Sequence, residues 1–163
     1  MLSMRATLRC DAMADLPYRS ALIIGAGPGI SSALARSLTG LGVIVSLGAR
    51  NVEKLATLVE ETGARPFTVD ASQADSVAAL FDRVSADTGD PEIVIFNAAA
   101  PLRGPLAELD PLGVQRSIAT TAFGGFLAAH HAARTMVPRG SESACRMRSV
   151  RSSPFLLPTK VRT

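Results

Sequence analysis

Apolar residues in this chain fall into short blocks separated by longer amphipathic stretches. "ALIIG" (21–25) is an apolar run of strand length, and "GISSALARSLTGLG" (29–42) carries its apolar residues at helical spacing before closing on Gly40 or Gly42. The pair recurs. "VIVSLG" (43–48) precedes a helix over 52–62 that Asn51 caps and Gly63 ends, and "RPFTV" (65–69) precedes a helix over 73–88. "EIVIFN" (92–97) predicts a fourth strand, and a long helix drawn from residues 112–136, apolar round most of its surface, follows it. Short β-branched strands alternating with helices of this length specify an α/β fold with a doubly wound parallel sheet. From residue 139 the pattern stops. The expected organisation is a loose leader over 1–16, one domain over 17–138 and an irregular basic tail over 139–163.

Composition narrows the classes. The chain of 163 residues, 47% of them hydrophobic, suits one domain with a real core, and no apolar run approaches the ~18 residues of a membrane span. Residues 1–138 carry 11 Lys and Arg against 13 Asp and Glu, whereas residues 139–163 carry six against one. The basicity therefore belongs to the tail. That tail shows no helical face and no interleaved aromatics, so no nucleic-acid partner is expected. Cys10 and Cys145 form no CxxC pair and have no His at ligand spacing, which speaks against a metal site or a disulfide framework and fits a cytoplasmic chain.

The chemistry is concentrated where the first strand turns into the first helix. Gly25, Gly27 and Gly29 clear the helix N-terminus of side chains, and a helix N-terminus in a βαβ unit holds a phosphate through its free N–H groups and its dipole. A dinucleotide is the expected ligand.

Gly25, three residues, Gly29 and Ile30 resemble the GxxxGIG fingerprint of the short-chain dehydrogenase/reductase family, with Ser31 standing where that fingerprint has its last glycine. Asp70 and Ala71 after the third strand, and Asn97-Ala98-Ala99-Ala100 after the fourth, fall where the family places an adenine-contacting Asp and its NNAG segment. The resemblance covers residues 20–138. It implies a Rossmann-type sheet of order 3-2-1-4, lacking the C-terminal half of the family fold, with cofactor contacts from Gly25, Gly27, Gly29, Ile30, Arg50, Asp70, Ala71, Asn97, Ala98 and Ala99.

The second strand ends in Ala49-Arg50, where relatives that prefer NAD carry an acidic residue. An Arg there suits the 2′-phosphate of NADP(H). Plainer readings stand beside these: Arg50 solvated at a strand end, Asp70 capping the next helix, and Asn97 serving only backbone groups. His130 and His131 have no acidic or Cys partner in sequence and read as packed or solvated residues.

The resemblance also implies hydride transfer between NADP(H) and a carbonyl or alcohol, by a Tyr whose phenol, ordinarily of pKa ~10, is activated by a Lys four residues on. This chain's one tyrosine, Tyr18, precedes the first strand, and its lysines are Lys54 and Lys160. Thr121 takes the place of the family's Asn on the long helix, and Ser149, Ser152 and Ser153 lie in a tail without strand pattern. No catalytic residue is assigned. The expected function is the NADP-binding domain of a short-chain dehydrogenase-like oxidoreductase acting on a small molecule. The alternatives are a non-catalytic dinucleotide-binding fragment or an interaction protein. The abrupt change at Arg139-Gly140 reads as a frame shift or rearrangement, with a genuinely divergent C-terminus as the alternative. A homo-oligomer is expected through the long helix, with Ile118, Phe123, Phe126 and Leu127 on its outer face, and the fourth strand is expected to leave an open edge.

Overall fold

In the computed structural model, residues 17–139 are described. Four strands, β1 (Ser20–Ile24), β2 (Ile44–Ala49), β3 (Arg65–Thr68) and β4 (Ile93–Phe96), form one parallel sheet in the order β3-β2-β1-β4. The doubly wound α/β expectation and its strand order are met. Five helices accompany the sheet: α1 (Ile30–Gly40), α2 (Ala56–Thr62), α3 (Ala74–Thr88), α4 (Pro111–Ile118) and α5 (Gly124–Met136).

The period of two along β1 sorts its side chains to both faces. Leu22 and Ile24 join Val77, Leu80, Phe81 and Val84 of α3 and Leu127, Ala128 and Ala132 of α5 in one core. Ala21 and Ile23 join Val45 and Leu47 of β2, Ala35 of α1 and Leu58 of α2 in the other. Full burial of a Val, Leu or Ile side chain contributes about 1.5–3 kcal/mol, and β1 supplies such residues to both cores, so it is the spine of the domain. The register pairs Ile24 with both Gly48 and Phe96, and Ala49 with Thr68, which brings the C-terminal ends of all four strands to one edge of the sheet.

Several expectations need correction. The helix expected over 52–62 is split, because the Asn51 side chain accepts the Glu53 N–H (3.0 Å) and starts a 3₁₀ turn, Glu53–Leu55, before α2 begins. The long helix is continuous but not α-helical throughout: a π-turn over Ala119–Phe123 joins α4 to α5 and shifts their register. Its start is set by Asp110, whose carboxylate accepts the N–H groups of Leu112 (3.1 Å) and Gly113 (2.8 Å), with Pro111 in the first turn. Leu127 does not belong to the outer face. It is 7% exposed and packed in the core with α3, while Ile118 (58%), Phe123 (45%) and Phe126 (60%) do face outward. The expected leader, the tail from Gly140 on, both cysteines, the three tail serines and Lys160 lie outside the described residues.

Candidate nucleotide-binding cleft

Where the strand ends meet, they border a cleft of about 200 Å³. Its floor is the turn after β1. The N–H groups of Gly25 and Ala26 both donate to the Gly48 carbonyl (2.8 and 2.9 Å), and the Asn97 N–H donates to the Ile24 carbonyl (2.8 Å), so three strand ends are tied together. Gly25 has φ +87°, and a Cβ there would strike the backbone of Asn97 and Ala98. Only glycine fits. Gly29 caps α1 with φ +95°; open space surrounds it, and no side chain caps the helix. The first N–H groups of α1 are thereby left for a ligand or water.

Seven of the ten expected contact residues line this cleft: Gly25, Arg50, Asp70, Ala71, Asn97, Ala98 and Ala99. Gly27, Gly29 and Ile30 do not line it; they form the lip of the turn, where Gly29 and Ile30 are exposed and a Cβ on Gly27 would meet nothing within 4 Å. Gly48 and Thr120 also border the cleft. Helical periodicity carries no sign of Thr120, because the π-turn decides which way that stretch faces.

Asp70 is not the cap of α3, which starts from Gln73 without a side-chain cap. Its Oδ1 instead accepts from the N–H (2.9 Å) and hydroxyl (2.7 Å) of Ser72, and its own N–H donates to Ser76 Oγ (2.9 Å). The backbone and then the hydroxyl of Ser72 hold this carboxyl below the ordinary carboxylate range; burial opposes them, and the charge of Arg50 adds a smaller favourable effect. Arg50 is exposed and makes no hydrogen bond or ion pair among the described residues. The cleft therefore offers one free cation and one braced anion.

Tyr18 and Lys54 are not brought to the cleft. Tyr18 precedes β1, at the opposite edge of the sheet, and Lys54 sits exposed in the turn after β2. Thr121 lies in the π-turn, where its hydroxyl accepts weakly from the Ala100 N–H (3.4 Å). His131 stacks on Phe81 (centroids 5.3 Å apart) and His130 on Phe126 (5.9 Å). Burial first, then His130 and Arg134, lower the basicity of His131, with Asp82 opposing. His131 is thus partly buried against Phe81, whereas His130 is exposed beside the outward-facing Phe126. Among the described residues no helix is long and apolar enough to cross a membrane, and no three His, Cys, Asp or Glu side chains cluster as metal ligands.

Comparison with known proteins agrees with the geometry. The short chain dehydrogenase family matches residues 19–153, continuing past the described residues through Ser152 and Ser153. The chain is 35% identical over 137 residues to cis-4-hydroxycyclohexanecarboxylate dehydrogenase of Sinomonas cyclohexanicum, an alignment covering 81% of this chain and 55% of that one. Among solved structures it superposes on a short-chain dehydrogenase from Rhodopseudomonas palustris (TM-score 0.67, 31% identity, 75% of this chain and 59% of that one). It also superposes on an F189W actinorhodin polyketide ketoreductase solved with NADPH (TM-score 0.71, 28% identity, 76% and 50%). The chain spans about half the length of the relatives it matches.

Proposed function

Since the chain belongs to the short-chain dehydrogenase family, we propose that its cleft binds NADP(H) in preference to NAD(H), as the cofactor-binding part of an oxidoreductase acting on a carbonyl or alcohol. The observation that carries this reading is Arg50, a free guanidinium bordering the same cleft as Gly25 and Asp70 and preceded by Ala49 rather than by a carboxylate. A guanidinium suits a phosphate monoester on a ribose, and a carboxylate at the strand end would repel it. The uncapped N–H groups of α1 suit the pyrophosphate, and Asp70 suits an amino group of the base. When bound, the nicotinamide supplies or accepts a hydride. NADPH in the complex of a polyketide ketoreductase of the same fold supports the choice.

A second reading, a dinucleotide-binding chain without turnover of its own, is favoured by one observation: Tyr18, this chain's one tyrosine, lies at the edge of the sheet away from the cleft. Calorimetric titration with NADPH and NADH tests the binding reading, and NADPH oxidation with carbonyl substrates separates the two. A charge-assisted contact is worth about 1.5–3 kcal/mol, so NADPH should bind roughly ten- to a hundredfold more tightly than NADH, and Arg50→Ala should remove most of that gap. Equal affinity of the unaltered chain for both cofactors would sink the preference for NADP(H).

A further inference from the structure

Ser31, the residue at the last glycine position of the fingerprint, is 1% exposed on the first turn of α1, and its hydroxyl is used twice. Oγ lies 3.1 Å from the Gly25 carbonyl oxygen and 2.8 Å from Nδ2 of Asn97. A carbonyl oxygen can only accept, so the single hydroxyl proton goes to Gly25. Only lone pairs then remain on Oγ. Asn97 has to meet them with its NH₂ group and not with its amide oxygen. The two ends of an asparagine amide are ordinarily interchangeable, and here one proton count decides between them.

The other end of that amide has a consequence for the cleft. Oδ1 of Asn97 makes no hydrogen bond among the described residues, yet no buried side-chain N or O among them lacks a partner. Oδ1 is therefore open to solvent or ligand, and the space that Asn97 borders is the cleft.

We propose that Ser31 is a positioning residue: it turns the Asn97 amide so that the cleft receives a carbonyl oxygen, an acceptor for a hydroxyl or amino N–H of the bound nucleotide. The proposal rests on the dinucleotide reading above. Without the hydroxyl, alanine or the fingerprint's own glycine at position 31 leaves the amide free to present either end and strips the Gly25 carbonyl of its donor. The device belongs to this chain, since a glycine has no group with which to build it.

The test is a double-mutant cycle on NADPH affinity in the full chain, using Ser31→Ala, Asn97→Ala and both together, with circular dichroism confirming the fold of each. Ser31→Ala should weaken binding about five- to tenfold in the Asn97 background and change it less than about twofold once Asn97 is alanine. A purely structural serine would weaken both backgrounds equally, and that result, or an unchanged affinity for Ser31→Ala, overturns the proposal. Ser31→Gly, which adds no atoms to α1, repeats the test if the alanine variant folds poorly. The Asn97 side-chain amide resonances in ¹⁵N correlation spectra read the orientation without ligand. They should lose their hydrogen-bonded shift in Ser31→Ala, and unmoved resonances overturn the orientation. A chain that binds no dinucleotide overturns the binding reading instead, and the amide resonances then decide the orientation alone.

Discussion

Asp70 is braced chiefly by Ser72, a residue that does not border the cleft. Its Oδ1 takes two donors from Ser72, and Arg50 adds a favourable charge, so the carboxyl stays ionised to lower pH than an ordinary aspartate of pKa about 3.9. The sign follows directly: a carboxyl depressed in the folded state contributes stability above its unfolded pKa and loses it as pH falls through the lower folded value. Ser72→Ala keeps the backbone donor and removes the hydroxyl, so the Asp70 titration should move upward part of the way. A ¹³C titration of the carboxyl measures it, and an unmoved midpoint would show the hydroxyl to be idle. Gly25, Arg50, Asp70 and Asn97 are legible in the sequence because each is a glycine or polar residue at or within two residues of the end of a predicted strand. The Ser31 to Asn97 bond is not legible, since residues 66 apart meet only once β4 is laid beside β1.

At the scale of elements, strands and helices announce themselves by period, and the departures occur where a side chain or a crossing imposes its own geometry. Asn51 diverts the chain into a 3₁₀ turn, and the π-turn at Ala119–Phe123 lets α5 start at Gly124, where a Cβ would collide with the Ala71 carbonyl. That close approach seats α5 against the loop carrying Asp70 and turns Thr120 toward the cleft. A hydrophobic pattern cannot encode it, because the extra residue of a π-turn leaves the composition helical. The start of α4 depends on Asp110, which satisfies two N–H groups and also holds Arg116 (3.2 Å). Asp110→Ala should cost about 1 kcal/mol through the lost cap, a fall of about 2–4 °C in the unfolding midpoint of a chain this size. Thermal unfolding followed by circular dichroism checks it, and an unchanged midpoint would mean that the cap contributes nothing to the cooperative unit.

For the whole molecule, the two cores leave several large apolar side chains exposed among the described residues, and the aromatic ones gather on one strip. Ile118, Phe123 and Phe126 face outward along α4, the π-turn and α5, and Phe126 stacks between Phe123 (centroids 6.3 Å apart) and His130 (5.9 Å). Arg134 is the one Lys, Arg, Asp or Glu residue within α5, so little charge opposes burial of this strip. Contiguous exposed aromatics on a helix face mark an association surface, and a second copy of the same nearly uncharged face is a suitable occupant, since apolar strips pair without needing complementary charge. The cleft lies at the strand ends, bordered by Thr120 but not by Phe123 or Phe126, so pairing there leaves the nucleotide site open. Sedimentation of the full chain at micromolar concentration should therefore show a dimer or larger species that still binds NADPH. Phe126→Asp, which places a charge in the middle of the strip, should yield monomers with an unaltered circular dichroism spectrum and unaltered NADPH affinity. A monomer before the substitution would refute association through this face, and a variant that stays dimeric would place the contact elsewhere on the molecule.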